Sequence, residues 1–107
     1  MELTAAVYRL TSAFPPGESF GLTSQLRRSA ISIPSNIAEG HGRMNARELK
    51  RFLLIARGSG SELQTQLELA ATLRFGDPQA LKSAQSLALE VENMLFAFLA
   101  RLRNNSS

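Results

Sequence analysis

The chain has no cysteine, no tryptophan, one tyrosine and one histidine among its 107 residues. Without cysteine, a disulfide framework and a thiolate metal site are both excluded, and this composition fits a reducing cytoplasm, where we expect the protein to reside. The single histidine, His41, lies between two glycines, and we interpret it as an exposed loop residue rather than a catalytic partner of Glu39. No glycine loop of the phosphate-cradling kind follows a strand pattern. We therefore predict no catalytic residue, no cofactor site and no metal site, and we expect that the protein is not an enzyme.

Long apolar runs are absent as well. The longest one extends from Met94 to Ala100, whereas a membrane-spanning helix needs roughly 20 apolar residues. Residues 1–4 show no basic patch followed by an apolar stretch, so no secretory signal is predicted. We expect no membrane partner.

The formal net charge of +3 is unevenly distributed. Residues 27–57 contain seven arginines and lysines against two glutamates, whereas residues 58–100 contain two cations against five acids. The middle of the chain is therefore its basic part, which indicates an anionic partner.

Apolar residues recur at three- and four-residue spacing along the chain, and no alternating strand pattern competes with them. The periodic segments are separated by Pro15-Pro16-Gly17, Gly40-His41-Gly42 and Gly76-Asp77-Pro78. These signals predict four helices, over about residues 3–13, 22–39, 46–74 and 78–103. Short connections between them predict an all-α, antiparallel up-down four-helix bundle with a short first helix. We expect residues 1–107 to form this single domain.

Helix starts carry capping residues. Thr23 or Ser24 is expected to cap the second helix, and Asp77 the fourth. Asn45 followed by Glu48 resembles a capping box, in which the Asn45 side chain accepts from the helix start and Glu48 reaches back.

Glycines carry two different expectations. Gly40-His41-Gly42 and Gly76 are expected to end the second and third helices, because glycine tolerates a left-handed exit. Gly58 and Gly60 weaken the third helix, and we expect close approach of another backbone to compensate.

Pro34 lies inside the predicted second helix and has no N–H to donate to the carbonyl of Ala30. An interior proline costs about 3 kcal/mol and usually kinks the helix. A break at this point would leave a short second segment with Ile33 as a poor cap. We therefore predict one continuous, kinked helix.

A polar stripe follows the second helix at spacings of three and four residues. Its members are Gln25, Ser29, Ser32, Asn36 and Glu39. One interpretation is a ligand groove. The other, which we favour, is a structural hydrogen-bond network near Pro34, where serine and asparagine can serve freed carbonyls.

A basic stripe follows the start of the third helix. Arg43, Arg47, Lys50 and Arg57 share one face, Arg51 lies beside them, and Arg27 and Arg28 add charge on the second helix. The stripe indicates phosphate binding. The alternative is a solvated face, with Arg51 paired to Glu48 or Glu62. Aromatic residues for base stacking are few, so we expect contacts to the nucleic-acid backbone with weak sequence selectivity.

The fourth helix is apolar on more than one side, because Leu89, Phe96 and Leu99 extend beyond its core stripe. A chain this small would leave them exposed, and such patches usually mark interfaces. We therefore expect self-association.

Two stretches, residues 21–40 and residues 51–67, carry a resemblance to one family. The first reads Gly21-Leu22-Thr23-Ser24-Gln25-Leu26-Arg27-Arg28-Ser29-Ala30-Ile31-Ser32-Ile33-Pro34-Ser35-Asn36-Ile37-Ala38-Glu39-Gly40. The second runs from Arg51-Phe52-Leu53-Leu54-Ile55-Ala56-Arg57-Gly58-Ser59 to Glu62-Leu63-Gln64-Thr65-Gln66-Leu67. Both resemble the bacterial 23S rRNA intervening-sequence proteins.

The resemblance implies a four-helix bundle that assembles into a closed homo-oligomeric ring, a pentamer. It also implies kinship to accessory proteins of diversity-generating retroelements, which engage nucleic acid and a reverse transcriptase. Two hypotheses follow. The first is a homo-oligomeric module that binds structured RNA or other nucleic acid, and the alternative is a protein-interaction scaffold whose arginines serve subunit contacts.

Overall fold

A computed structural model describes residues 2–105, and the described chain forms four α-helices without a strand. They are α1 (Glu2–Thr11), α2 (Leu22–Gly42), α3 (Ala46–Leu73) and α4 (Pro78–Asn105), with a 3-10 turn at Pro16–Glu18. The prediction of an all-α four-helix bundle is confirmed. Two helix ends differ from expectation: α1 ends at Thr11 rather than near residue 13, and α2 continues to Gly42 rather than ending near residue 39.

Each helix packs against two others, in the cyclic order α1, α2, α3, α4 and back to α1. Neighbouring helices run antiparallel. Between α2 and α3, for example, Ser32 bonds to Ser59 while Gly40, later in α2, lies against Phe52, earlier in α3.

Large side chains from all four helices fill the core between them. The largest fully buried ones are Leu3, Val7, Leu10, Leu26, Ile33, Leu53, Leu63, Leu67 and Leu95. Each such burial stabilises the fold by about 1.5–3 kcal/mol relative to exposure. Leu99, expected to extend beyond the core stripe of α4, is also buried, whereas Leu89 and Phe96 are exposed.

The first helix covers only part of the bundle. The described chain is 48 Å long, whereas the ten residues of α1 span about 15 Å. Thr4 of α1 lies beside Ala30 of α2, and Leu3 lines a groove with Ile37 and Val91. The C-terminal ends of α2 and α4 therefore extend past α1 and pack with α3.

The second helix passes through Pro34 without interruption, as predicted. The carbonyl of Ala30, which Pro34 cannot serve, accepts a hydrogen bond from the Thr4 hydroxyl at 3.3 Å. This partner comes from α1 rather than from the polar stripe of α2. One short polar side chain thus ties α1 to the weak point of α2.

Two of the predicted caps are present. The Asn45 side chain accepts from the backbone N–H groups of Arg47 and Glu48 at 3.0 and 3.1 Å, and that of Asp77 accepts from Ala80 N–H at 3.0 Å. Glu48, however, bonds to Arg51.

The predicted cap at Thr23 or Ser24 is wrong. The first residue of α2 is Leu22, and its N–H donates to the Glu18 carboxylate at 3.2 Å. Thr23 is buried inside the first helical turn, because the preceding 3-10 turn brings Glu18 to the helix start.

The glycine roles also differ from expectation. Gly40 is helical and buried, and a Cβ there would lie 3.0 Å from the Cβ of Phe52, so it permits close helix packing. The left-handed residues at the two helix exits are Met44 and Arg74, while Gly76 has a φ of 78° in the following loop. Gly58 has open space around it, so the expected backbone approach is absent at that position.

The Thr4–Ala30 bond generates a stability prediction. Thr4→Val keeps the shape of the side chain but leaves the Ala30 carbonyl, in a fully buried residue, without its side-chain donor. We expect a loss of about 1–3 kcal/mol in the free energy of unfolding, measured by denaturant titration.

The control for this prediction repeats Thr4→Val in a variant in which Pro34 is replaced by alanine. In Pro34→Ala the backbone N–H of residue 34 can serve the same carbonyl, so adding Thr4→Val should cost little more. Equal losses in both backgrounds would show that the two residues are uncoupled, because a double-mutant cycle isolates their interaction.

Candidate nucleic-acid interface

Most of the basic residues collect at one end of the bundle. The connection between α2 and α3 lies there beside the C-terminal part of α4, where His41 and Phe98 meet edge to face at 6.0 Å. We call the following set the cationic end: Arg43, Arg47, Lys50, Arg51, Arg57, Arg101 and Arg103. Two carboxylates, Glu39 and Glu48, lie among these cations. The excess of positive charge makes this end a favourable place for an anion.

Two members of the cationic end are held in ion pairs around one aromatic ring. Arg43 pairs with Glu39 at 2.9 Å and Arg51 with Glu48 at 3.1 Å. Their guanidinium carbons lie 5.2 and 4.4 Å from the centre of the Phe52 ring. The hydrogen bond from Arg51 lowers the pKa of the Glu48 carboxyl below its ordinary value and raises the pKa of Arg51. Local carboxylates therefore balance the charge of these two arginines.

Three other members are placed differently. Lys50 and Arg57 line a groove of about 190 Å³ between α3 and α4, and Arg47 lies exposed in the first turn of α3. No carboxylate among the described side chains forms an ion pair with these three. These three cations are therefore available to an external phosphate.

The two remaining predicted cations lie away from the cationic end. Arg27 is half-buried, donates to the Thr11 hydroxyl at 2.8 Å and covers the Tyr8 ring at 4.4 Å. It therefore joins α2 to α1. Arg28 lines a separate polar groove of about 290 Å³ between α2 and α3. The seven predicted cations thus divide among three places.

The polar stripe of α2 also divides. Ser32 and Ser59 hydroxyls lie 2.7 Å apart across the α2–α3 interface. The Asn36 amide donates to the Ser32 carbonyl and hydroxyl at 2.8 and 3.0 Å. Ser32, Asn36 and Ser59 are therefore joined by hydrogen bonds, whereas the Ala30 carbonyl that Pro34 cannot serve is bonded by Thr4.

The other members of the stripe are not in that network. Gln25 and Ser29 line the Arg28 groove, which Ser32 and Ser59 also line, and Ser29 is buried there whereas Gln25 is exposed. Glu39 is exposed and pairs with Arg43.

Sequence reasoning did not place α4 at this site. Phe96 and Arg103 line the same groove as Lys50 and Arg57. Their spacing of seven residues puts them on one face of a helix. This spacing is the sequence signal that could have assigned Phe96 and Arg103 to the same site. Which residues of α3 they contact depends on the register between the antiparallel helices α3 and α4. The spacing within α4 does not specify that register.

Neither a metal centre nor a membrane span is found in the described part of the chain. Among residues 2–105, no three histidine or carboxylate side chains are grouped so that they could hold a metal ion. No described helix is long and apolar enough to cross a bilayer.

Comparisons with known proteins agree with the fold. A crystal structure of a protein of unknown function from the S23 ribosomal protein family of Bacteroides thetaiotaomicron superposes with a TM-score of 0.76 at 20% identity. The match covers 92% of this chain and 88% of the other. A comparison with curated proteins finds no match. The family model described as 23S rRNA-intervening sequence protein matches residues 1–97. The chain therefore belongs to the 23S rRNA-intervening sequence protein family.

Proposed function

We propose that this protein is a non-enzymatic, homo-oligomeric module of the cytoplasm that binds structured RNA or other nucleic acid through its cationic end. The observation that carries the proposal is the collection of seven arginines and lysines at one end of the bundle, where Glu39 and Glu48 are the carboxylates paired with them among the described residues. The family description, which refers to 23S rRNA, supports structured RNA as the first ligand to test.

Phosphate contacts account for the expected mode of binding. Arg47, Lys50 and Arg57 have no ion-pair partner among the described side chains, so binding a phosphate breaks no existing pair. Each neutralised phosphate releases condensed counterions. Binding of this kind depends on salt and only weakly on sequence.

Self-association would multiply these contacts. Several large apolar side chains outside the groove of Lys50 and Arg57 are exposed on α2, α3 and α4, namely Ile31, Ile55, Leu69, Leu73, Leu89 and Met94. Apolar exposure of this extent supports an interface between copies. In a closed ring, for which we expect five subunits, a small patch on each subunit gives useful avidity.

The alternative is a protein-interaction scaffold without nucleic-acid binding, whose partner is a reverse transcriptase or another protein. The ion pairs of Arg43 and Arg51 favour it, since local carboxylates already engage two of the cations. Assembly and nucleic-acid binding must therefore be measured on the same variants.

We predict that the protein forms particles of several subunits in solution. Light scattering at micromolar concentration should report several times the 11.7 kDa of one chain. Leu69 and Leu73 are each 48% exposed and lie one turn apart on α3, away from the cationic end. Changing both to glutamine should lower the mass if this face joins the subunits. A monodisperse 11.7 kDa wild-type particle would contradict the proposal.

We predict that nucleic-acid binding weakens as the salt concentration rises. A labelled structured RNA should bind at low salt and weaken on salt titration, with a log–log slope of about −0.7 to −0.9 per phosphate contact. Arg47→Gln with Lys50→Gln should weaken binding about equally across sequences and make the slope shallower, with assembly unchanged.

The matched control removes the same charge elsewhere. Arg9 and Lys82 are exposed and lie outside the cationic end, so Arg9→Gln with Lys82→Gln should bind almost like wild type. Equal binding by both double variants would exclude this end as the interface. Loss of assembly in Arg47→Gln with Lys50→Gln would instead support the scaffold.

A further inference from the structure

The groove between the C-terminal part of α4 and the start of α3 combines an exposed aromatic ring with positive charge. Phe96 keeps 61% of its surface exposed although it lies on a packed helix. Lys50 and Arg57 from α3 and Arg103 from α4 line the same groove, together with the apolar side chains of Leu54 and Leu99. The groove volume is about 190 Å³.

The geometry around the ring is that of a partly occupied stacking surface. The Arg57 guanidinium carbon lies 5.7 Å from the centre of the Phe96 ring, within the range of a cation–π contact. Most of the side chain still faces solvent. A planar group can therefore stack on the exposed part of the ring while cations flank it.

A second groove between the same two helices supplies the contrast. Leu89 lies seven residues before Phe96 on α4 and is 53% exposed. Its groove, of about 410 Å³, contains Glu68 and Glu92 and no arginine or lysine. An apolar partner alone would suit both grooves, whereas an anionic partner with a flat apolar part suits only the groove at Phe96.

We propose that the groove at Phe96 binds an unpaired nucleotide, whose base stacks on the Phe96 ring while Lys50 and Arg57 contact the neighbouring phosphates. The proposal rests on the proposed function and narrows its ligand to strands with unpaired bases. It also revises the expectation that base stacking is poorly provided for. Aromatic stacking tolerates every base, so binding should show little sequence preference.

The experiment compares single strands with a duplex. Short labelled oligouridine, oligothymidine and an RNA duplex of the same length are titrated with wild type and with Phe96→Leu, Phe96→Tyr and Phe20→Leu by fluorescence anisotropy. Phe96→Leu should weaken binding to both single strands about 5- to 150-fold, which corresponds to about 1–3 kcal/mol per stacked base. Duplex binding and assembly should be unchanged. Phe96→Tyr, which keeps a ring, should restore single-strand binding. Phe20→Leu, the same change at a ring that is 96% exposed outside the cationic end, should leave it unaffected.

Other outcomes separate this inference from the broader one. Equal single-strand binding by wild type and Phe96→Leu, with salt-dependent duplex binding intact, would overturn the base-stacking site and leave nucleic-acid binding standing. A fall in particle mass for Phe96→Leu would assign the ring to an interface between copies and overturn it as well. No binding of any probe by wild type at low salt would overturn both.

Discussion

At Gly40, α2 and α3 approach so closely that an added side chain would require its neighbours on α3 to shift by a few tenths of an ångström. A Cβ atom there would lie 3.0 Å from the Cβ of Phe52 and 3.1 Å from a methyl group of Leu49. Because this contact lies just before the reversal between the two helices, it positions Phe52 beneath Arg43 and Arg51. The Phe52 ring therefore contacts one arginine that follows α2 and one arginine of α3.

The pair of helices α3 and α4 supplies the second part of the site. The C-terminal part of α4 extends past the start of α1 and lies against α3, where Phe96 and Arg103 join Lys50 and Arg57. Two carboxylates, Glu68 of α3 and Glu92 of α4, line a groove farther along the same helix pair. Charge along this face therefore changes sign, and only one end of it suits an anion.

Local signals predicted the local features well. The three- and four-residue spacing predicted four helices, and the caps at Asn45 and Asp77 form because each depends on neighbours in sequence. The continuity of α2 through Pro34 was also predictable, but its donor, Thr4, was not, since it comes from another helix. Glycine roles failed for a similar reason: spacing does not show which backbone lies opposite Gly40 or Gly58.

The candidate site was predictable only in part. Helical spacing places Arg47 and Lys50 near one another on α3, and no described carboxylate pairs with either. The division of the other cations depends on tertiary contacts: Arg27 packs onto α1, whereas Arg43 pairs with a carboxylate. The sequence does not indicate Phe96 as part of a charged groove, because its cationic neighbours come largely from α3.

Binding of nucleic acid at the cationic end can be tested directly, because the chain has two lysines, one inside this end and one outside it. Lys50 lies in the cationic end and Lys82 near the start of α4, and both are exposed. Acetylation of each amine, followed by mass spectrometry with and without structured RNA, measures both sites in one sample. We expect RNA to slow acetylation of Lys50 but not of Lys82, and added salt to remove the difference. Unchanged acetylation of Lys50 under conditions where RNA is bound, or protection of Lys82 alone, would contradict this expectation.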